Sequence, residues 1–291
     1  MDVRRTFWVS FGAVNQLLFG LTILRLFVFL WGGDGFRAWL SPGIDRAYTW
    51  VWVDSLLAAQ FAVLHSAMLW PSNRAWLNRQ MPPELGGSFF CAASCVSLFV
   101  TMEFWRSSPT PIWHVEGATG WVVSSLFLVS WSALTYSLWL TGFGHQTGFS
   151  PWWAYVRKRP TPRRAFAPKG AYRLIRHPVY LSFLGLVWFN PLMTVDRMTL
   201  ALLWTTHIFV GSYLKDRRLE KYIGEPYRQY QTRVPGYPLF RGPLGRLSPM
   251  TLSATEPRSF CLNSASFGRV EGSRLPRVVR AGWPIAGRER P

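Results

Sequence analysis

The chain has 291 residues, of which 49% are hydrophobic, 16% are aromatic and only 16% are charged, and it contains 17 Trp. Because Trp and Tyr collect at membrane interfaces, this composition excludes an ordinary soluble domain. The net charge is +18, but the basic residues lie between long apolar blocks, so nucleic-acid binding, the usual alternative for a basic chain, is not expected.

Six apolar blocks approach the roughly 20 residues that a helix needs to cross a bilayer. In chain order they cover residues 7–31, 50–70, 86–105, 120–143, 179–195 and 198–214. The first is too long to be the apolar part of a cleavable signal peptide, and the fifth is interrupted by Asn190-Pro191. The sequence therefore predicts an all-α integral membrane protein with about six transmembrane helices.

The positions of Lys and Arg predict how the helices are oriented. Cytoplasmic loops of membrane proteins carry an excess of these residues. Here they precede the first block, follow the second and the sixth, and are concentrated between the fourth and the fifth. Both termini are therefore predicted to be cytoplasmic.

The chain divides into a membrane domain over residues 1–240 and a tail over residues 241–291. The tail is rich in Arg, Pro, Gly and Ser and has no helical period, which favours disorder. Within the membrane domain, residues 144–178 form the most distinctive connection, with four prolines beside Trp152, Trp153 and Tyr155. We predict that this segment lies along the membrane surface as short interfacial pieces.

The segment 170–180 is the strongest candidate for a ligand site. Pro178 suits the first turn of a helix, which places His177 at or near the N-cap, where backbone N–H groups and the helix dipole favour anions. Arg173 and Arg176 add positive charge, and His177 is expected to stay neutral there. The residues alone leave two interpretations open, a pocket for a carboxylate or phosphate and a basic anchor with His177 as a simple cap.

A second group of polar residues follows the sixth block. If the helix continues beyond it, Asp216 and Glu220 lie one turn apart on the same face. A carboxylate there would pair with a cationic ligand group or with the arginines near His177. The alternative is a solvated, salt-bridged helix end.

Polar residues inside the predicted helices are further candidates. His65 shares the second block with Asp54, and an ionisable group in a membrane helix usually faces the bundle interior or a cavity. His65 is therefore expected to line a ligand path or to make an interhelical hydrogen bond, and His207 in the sixth block is a weaker candidate of the same kind. Arg25 is expected to reach the interface or to pair with Asp54.

The cysteines predict little chemistry. Cys91 and Cys95 share one face of the third helix, but a metal site needs more ligands nearby than the sequence offers. They are interpreted as small packing residues, and no metal site is expected.

Several motifs, taken as a set, resemble the C-terminal signature of the isoprenylcysteine carboxyl methyltransferase superfamily. They are Tyr172-Arg173-x-x-Arg176-His177-Pro178-x-Tyr180, Arg217-x-Leu219, Gly224-Glu225-x-Tyr227-x-x-Tyr230 and Arg233-Val234-Pro235. Upstream, residues 61–68 and the motif Trp188-x-x-Pro191-x-Met193-Thr194 resemble the bacterial methanethiol S-methyltransferases and their NnrU-like neighbours. The resemblance covers roughly residues 50–240, with the signature within 165–238.

This resemblance implies a methyltransferase of the bacterial inner membrane that uses S-adenosylmethionine in a cytoplasmic pocket. Carried over by position, the cofactor-binding residues are Tyr172, Arg173, Arg176, His177, Pro178, Tyr180 and Tyr227. Asp216 and Arg217 would close the pocket from the other side as catalytic groups, and His65 is a candidate acid-base group on the thiol path. The sequence has no glycine-rich dinucleotide motif after a strand, so a Rossmann site is not expected.

One position departs from the family pattern. Close relatives usually have two consecutive glutamates where this chain has Lys215-Asp216. Asp216 would replace the second glutamate with a shorter reach, and Lys215 reverses the charge of the first. If that first carboxylate is essential, the chain has altered substrate chemistry or none.

The leading functional hypothesis is methylation of a small thiol, with methanethiol giving dimethyl sulfide. A second hypothesis keeps the methyltransferase and changes the acceptor to an isoprenylcysteine, a phospholipid or another lipophilic molecule. A third is a non-catalytic NnrU-like membrane protein, and a sterol-type reductase ranks last because no nicotinamide-binding feature is visible. Binding of S-adenosylmethionine would separate the enzymes from the non-catalytic protein, and a volatile product would separate the first hypothesis from the second.

Overall fold

The computed structural model describes residues 3–32, 49–161, 165–238, 240 and 242–245. These residues form the helices α1 (Val3–Trp31), α2 (Thr49–Leu69), α3 (Pro71–Gln80), α4 (Gly86–Phe104), α5 (Gly117–Leu140), α6 (Phe143–Gln146), α7 (Phe149–Val156), α8 (Pro178–Trp188), α9 (Val195–Ile223) and α10 (Glu225–Arg233). Single 3₁₀ turns occur at Pro83–Leu85, Gly170–Arg173 and Gly242–Leu244. The predicted disorder of the tail falls outside the described residues, apart from 242–245.

The predicted helical membrane fold is confirmed. Four helices, α1, α2, α4 and α5, are long and apolar enough to cross a membrane, and they correspond to the first four predicted blocks. Large apolar side chains on them point outward, among them Leu24, Val63, Val129 and Trp139. Apolar patches of this extent on a surface mark contact with lipid or with another protein, and here they suit the hydrocarbon of a bilayer.

The fifth predicted block is not one continuous helix. Helix α8 ends at Trp188 after 11 residues, which is about 16 Å at 1.5 Å per residue and about half of a bilayer's hydrocarbon thickness. Asn190-Pro191 interrupts the helix, and strand β2 (Leu192–Thr194) follows and pairs antiparallel with β1 (Pro111–His114). This two-stranded ribbon was not predicted, and six spans with cytoplasmic termini stay a prediction.

The helices pack side by side in a single bundle. Helix α4 contacts α1 and α2, α2 contacts α9, α9 contacts α8, and α8 contacts α5. Small residues allow the closest approach: a Cβ atom added at Gly185 of α8 would lie 2.1 Å from Ser130 Oγ of α5. The shared core consists of Leu26, Phe29, Leu30, Ala58, Met102, Trp105, Phe127, Leu134, Leu186, Val187, Leu200, Ala201 and Trp204.

A buried carboxylate fixes the ribbon to the bundle. Asp196, in the first turn of α9, accepts hydrogen bonds from Trp105 Nε1 at 3.0 Å, from the Ser108 backbone N–H at 3.1 Å and from the Thr194 hydroxyl. Buried polar groups need such partners, so the carboxylate joins the end of α4, the start of α9 and β2.

The predicted pairing of Arg25 with Asp54 is wrong. Arg25 Nε donates to Glu103 Oε1 at 2.7 Å, because α1 packs against α4 and places the last turn of that helix beside the guanidinium. Asp54 Oδ1 instead accepts a hydrogen bond from the Arg106 backbone N–H at 3.1 Å.

The described part of segment 144–178 contains the short helices α6 and α7 and the 3₁₀ turn Gly170–Arg173, and their predicted position along the membrane surface stays a prediction. Helix α7 is held to α1, because Trp152 Nε1 donates to the Val9 carbonyl at 3.1 Å and Asn15 Nδ2 donates to the Thr147 carbonyl at 3.1 Å. The chain enters α7 through Gly148, whose φ of +75° suits glycine. These contacts bring the residues from Thr147 to Trp152 against the first helix.

Two glycines of α1 predict opposite effects of the same substitution. A Cβ at Gly12 would lie 2.0 Å from Trp152 Cδ1, whereas a Cβ at Gly20 meets nothing within 4 Å. Gly12→Ala is therefore expected to lower the melting temperature, since overpacking costs about 1–3 kcal/mol. Gly20→Ala is expected to leave it unchanged or raise it, because Ala favours a helix over Gly by up to about 1 kcal/mol. Thermal unfolding in detergent measures both, and equal effects would contradict the contact between α7 and α1.

Candidate functional site

The site is built around the side chain of Arg176, which lies in the stretch that links the 3₁₀ turn Gly170–Arg173 to α8. Its backbone N–H donates to the Pro235 carbonyl at 2.8 Å. Its Nη1 donates to the Gln231 carbonyl at 3.2 Å and to the Val234 carbonyl at 2.8 Å. The guanidinium is therefore buried under the end of α10. It connects the residues around His177-Pro178, which we call the His-Pro segment, to the residues at and after the end of α10.

The carboxylate of Asp216 gathers three donors from three parts of the chain. Its Oδ2 accepts a hydrogen bond from Arg176 Nη2 at 2.9 Å. Its Oδ1 lies 3.2 Å from His177 Nε2 and also accepts the hydroxyl of Tyr227. We call Arg176, His177, Asp216 and Tyr227 the Asp216 cluster. All four are buried, and they join the His-Pro segment, α9 and α10.

Charge and burial act in opposite directions on Asp216. Burial raises its pKa, but the hydrogen bonds from His177 and Tyr227 and the charge of Arg176 outweigh that effect and lower the pKa to about 2. Burial and the neighbouring carboxylate raise the pKa of Tyr227. Asp216 is thus an anion and Tyr227 a neutral donor at neutral pH, which matches their hydrogen bond.

His177 precedes α8 at the N-cap, as predicted, but it does not act as a cap. No side-chain bond to the helix N-terminus is formed, and Nε2 faces Asp216 instead. Burial lowers the pKa of His177, opposed by Asp216, so the ring is neutral and donates from Nε2. Its Nδ1 then carries no proton and can only accept a hydrogen bond. This atom is buried without a hydrogen-bond partner among the described residues.

Aromatic rings and one further cation surround the Asp216 cluster. The His177 ring packs against Tyr180 at 5.5 Å and against Tyr237 at 5.2 Å between centroids. Lys215 Nζ lies 5.2 Å from the centroid of the Tyr180 ring, within the range of a cation–π contact. Burial lowers the pKa of Lys215 to about 8, although Asp216 opposes the shift.

Other predicted site residues lie elsewhere or contribute only backbone. Arg173 is exposed, with Nε 3.4 Å from the Pro168 carbonyl, and Arg217 is exposed above the Tyr213 ring at 5.6 Å. Tyr172 offers its carbonyl to the hydroxyl of Tyr230, and Pro178 opens α8. The structure thus brings Arg176, His177, Asp216, Tyr180 and Tyr227 together, and leaves Arg173 and Arg217 outside the cluster.

The sequence left two alternatives for the end of α9, a carboxylate paired near His177 and a solvated, salt-bridged helix end. Each alternative describes a different residue. The helix continues to Ile223, so Asp216 and Glu220 are one turn apart as predicted. Asp216 turns inward to Arg176, whereas Glu220 makes an exposed pair with Arg228 at 2.9 Å. The solvated helix end is therefore at Glu220, one turn beyond the buried cluster.

Two parts of the site were missed in the sequence. Tyr237 is almost fully buried against His177, and the carbonyls of Gln231 and Val234 hold Arg176. Backbone acceptors leave no side-chain signature. In the sequence, only Val234-Pro235 at the end of the family motif pointed to this segment. It did not indicate that backbone carbonyls there bind Arg176.

His65 lies in a different group of side chains. Its ring packs against Phe61, Phe90 and His207, and its Nδ1 is 3.4 Å from Ser94 Oγ. Of the two alternatives for His65, the interhelical hydrogen bond is present, to Ser94 of α4, and a place on a ligand path stays a prediction. His207 of α9 joins the same group.

Comparison with known proteins identifies the family of this chain. A methanethiol S-methyltransferase of Pseudomonas sp. (strain GM41(2012)) is 33% identical over 226 residues, covering 75% of this chain and 84% of that protein. Methanethiol S-methyltransferase 1 of Bradyrhizobium diazoefficiens is 31% identical over 239 residues, covering 77% and 79%. The chain belongs to the isoprenylcysteine carboxyl methyltransferase-like membrane family. Nurim of Rattus norvegicus, also of this family, is 27% identical over 212 residues, covering 69% and 80%.

The similarity to relatives named methanethiol S-methyltransferase supports a membrane methyltransferase, and this chemistry requires a methyl donor. No family model and no solved structure matches the chain. The assignment therefore rests on similarity to the relatives over 75–77% of this chain.

Proposed function

We propose that this protein transfers the methyl group of S-adenosylmethionine to methanethiol and releases dimethyl sulfide, in the inner membrane of a bacterium. Relatives named methanethiol S-methyltransferase in Pseudomonas, Bradyrhizobium and Crocosphaera support the acceptor. The observation that carries the proposal is that Nδ1 of His177, inside a buried, charged cluster, has no hydrogen-bond partner among the described residues, since such an atom is usually satisfied by a ligand or by water.

The groups around the cluster fit the polar end of S-adenosylmethionine. His177 Nδ1 is a hydrogen-bond acceptor suited to the ammonium group of the ligand. Lys215 is a half-buried cation suited to the ligand carboxylate. The Tyr180 ring, which already contacts Lys215, offers a face to the ligand sulfonium. The bound cofactor would supply an electrophilic methyl group on a positively charged sulfur.

Asp216 and Arg176 have a positioning role in this proposal. The three donors to Asp216 come from the protein itself, and Arg176 is held by three backbone contacts and that carboxylate. In this proposal Asp216 fixes the tautomer of His177, and Arg176 holds the residues after α10 against the site. A fixed His177 Nδ1 orients the ligand, which is the main requirement of an in-line methyl transfer.

A lipophilic methyl acceptor is the second candidate. An apolar cavity of about 440 Å³ opens between α1, α2 and α4, and this volume lies in the range of pockets for drug-sized ligands. It is lined by Phe11, Gln60, Leu64, Phe89, Ala92, Ala93, Val96, Ser97 and Val100. Methanethiol has only two heavy atoms and needs far less space.

The test is headspace gas chromatography on membranes that contain the protein, supplied with S-adenosylmethionine and methanethiol. We expect dimethyl sulfide from the wild type and from Arg173→Ala, whose side chain is exposed in the same segment. His177→Gln keeps a side-chain N–H that can reach Asp216 but removes the Nδ1 acceptor, so it should lose roughly tenfold or more in cofactor affinity, the effect of about 1.4 kcal/mol.

Three results would revise the proposal. Cofactor binding without dimethyl sulfide would move the acceptor to the lipophilic class. Absence of both would favour a non-catalytic family member. Equal cofactor affinity in His177→Gln and in the wild type would remove His177 Nδ1 from the binding site.

A further inference from the structure

Two histidines far apart in the sequence meet inside the bundle, away from the Asp216 cluster. His65 of α2 and His207 of α9 have ring centroids 6.1 Å apart, with the ring planes nearly perpendicular at 89°. Both side chains are half-buried. Ionisable groups at this depth in a membrane domain are costly and usually serve a function.

Aromatic rings pack against the two histidines. Phe61 packs at 5.5 Å from His65 and at 6.2 Å from His207, and Phe90 of α4 packs at 4.9 Å from His65. We call Phe61, His65, Phe90 and His207 the histidine pocket. Three helices contribute to it, and its walls are apolar while its two imidazoles are polar.

Much of the hydrogen-bonding capacity of the histidine pocket is unused. Among the described residues, His65 has one partner, Ser94 Oγ at 3.4 Å, and His207 has none. Trp204 packs on Phe61 at 5.7 Å, and its buried indole N–H also lacks a partner in the described part of the chain. A thiolate sulfur would accept a hydrogen bond from the indole N–H, and an imidazole would hold the proton that the thiol has lost. A thiol therefore matches these groups.

The histidine pocket lies along the same helix as the Asp216 cluster. His207 precedes Asp216 by nine positions on α9, which corresponds to about 14 Å along the helix axis. Lys215, which we propose holds the ligand carboxylate, follows His207 by eight positions on α9, a little over two turns, so the two side chains leave the helix on neighbouring faces. A methyl donor held by Lys215 would have its acceptor deeper in the bundle.

Methylation of a thiol needs a base, because the thiolate is the nucleophile and an ordinary thiol, with a pKa near 8.5 or above, is mostly protonated at neutral pH. Imidazole is the side chain most often used for such proton transfers. Each neutral imidazole has one nitrogen with a lone pair that can take a proton, and the histidine pocket holds two such rings.

We propose that the histidine pocket is the acceptor site, which binds the thiol between Phe61 and Phe90, and that one of its imidazoles takes the thiol proton. The proposal rests on the function proposed above. The S–H bond breaks and its proton moves to an imidazole nitrogen. The thiol sulfur bonds to the methyl carbon as the bond from that carbon to the sulfonium breaks, and the sulfonium sulfur keeps the electron pair. The proton then leaves to water.

Nuclear magnetic resonance of the histidine rings tests binding without turnover. The chain has five histidines, so ring-labelled protein in lipid nanodiscs gives at most five sets of signals, assigned by single His→Gln variants. Methanethiol is added without any cofactor. We expect the His65 and His207 signals to shift in a saturable way, while the signal of exposed His114 stays in place.

Kinetics test the proton transfer. His65→Gln and His207→Gln are each compared with His114→Gln, an exposed histidine of β1. The variant of the histidine that takes the proton should lower kcat/KM for methanethiol by roughly 100-fold, and S-adenosylmethionine should bind with unchanged affinity. His114→Gln should leave both quantities at the wild-type values.

The outcomes separate the two proposals. Unshifted His65 and His207 signals at saturating methanethiol would overturn the acceptor site, whether or not the wild type makes dimethyl sulfide. Shifted signals without any dimethyl sulfide would support the thiol site and refute the proposed reaction. Dimethyl sulfide formed at wild-type rates by both variants would refute the base and leave the reaction standing.

Discussion

Asp216→Asn is expected to destabilise the protein by about 3–5 kcal/mol, because it leaves the buried guanidinium of Arg176 without a negative partner. Glu220→Gln, one turn further along α9, is expected to change stability by no more than about 1 kcal/mol. The same type of substitution thus has different effects, since the Arg176–Asp216 pair is buried whereas Arg228 and Glu220 face water.

Thermal unfolding of purified protein in detergent measures this difference. A loss of 3–5 kcal/mol corresponds to a fall in melting temperature on the order of 10 °C for a domain of this size. Asp216→Asn should also weaken S-adenosylmethionine binding, because the amide has one acceptor oxygen for three donors and its NH₂ group opposes one of them, so the His177 tautomer is held less firmly. Equal melting temperatures for the two variants would show that the cluster does not hold the His-Pro segment against α9 and α10.

Lys215→Met is expected to weaken S-adenosylmethionine binding at pH 7 by roughly 10-fold to 100-fold, the value of a charge-assisted hydrogen bond. Lys215 is a half-buried cation beside the Tyr180 ring, and we have proposed that it holds the ligand carboxylate. Lys215→Arg keeps the charge and is expected to bind nearly as tightly as the wild type at pH 7.

The pH dependence of binding gives Lys215 a second, sharper test. Its pKa is lowered to about 8 by burial, so the ammonium is present below pH 8 and is lost as the pH rises through that value. Wild-type affinity should therefore fall between pH 7 and 9 relative to Lys215→Arg, whose guanidinium stays charged.

Comparing the two proteins removes the contribution of the ligand, because the α-amino group of S-adenosylmethionine titrates in the same range. Isothermal titration calorimetry at each pH gives both affinities. Parallel curves for wild type and Lys215→Arg would show that Lys215 does not hold the carboxylate, and stronger binding by Lys215→Met would show that the lysine repels the sulfonium instead.

Lys215 also bears on how this chain differs from the family pattern of two glutamates. The structure gives Asp216 the inward position beside Arg176 and His177, and it places Lys215 against Tyr180. The second carboxylate of the pattern is thus retained in a buried pair. The charge reversal at the first position lies at the edge of the cluster and does not disrupt it.

The sequence by itself determined the membrane class and the location of the site. Long apolar blocks and the Trp content predict helices in a bilayer, because the cost of unpaired backbone groups in hydrocarbon leaves few other structures. The motif from Tyr172 to Tyr180 predicts the His-Pro segment, and helical periodicity predicts Asp216 and Glu220 on one face. These are local properties of composition and spacing.

Only the tertiary structure decided which of these residues meet. Asp216 faces Arg176 while Glu220 faces Arg228, and Arg25 pairs with Glu103 rather than Asp54. Asn190-Pro191 marked an interruption in the fifth block, but neither the β1–β2 ribbon nor the contact between His65 and His207 was visible in the sequence. Such contacts depend on how helices distant in sequence rotate and pack, since each side chain has several possible partners until the neighbouring helices are in place.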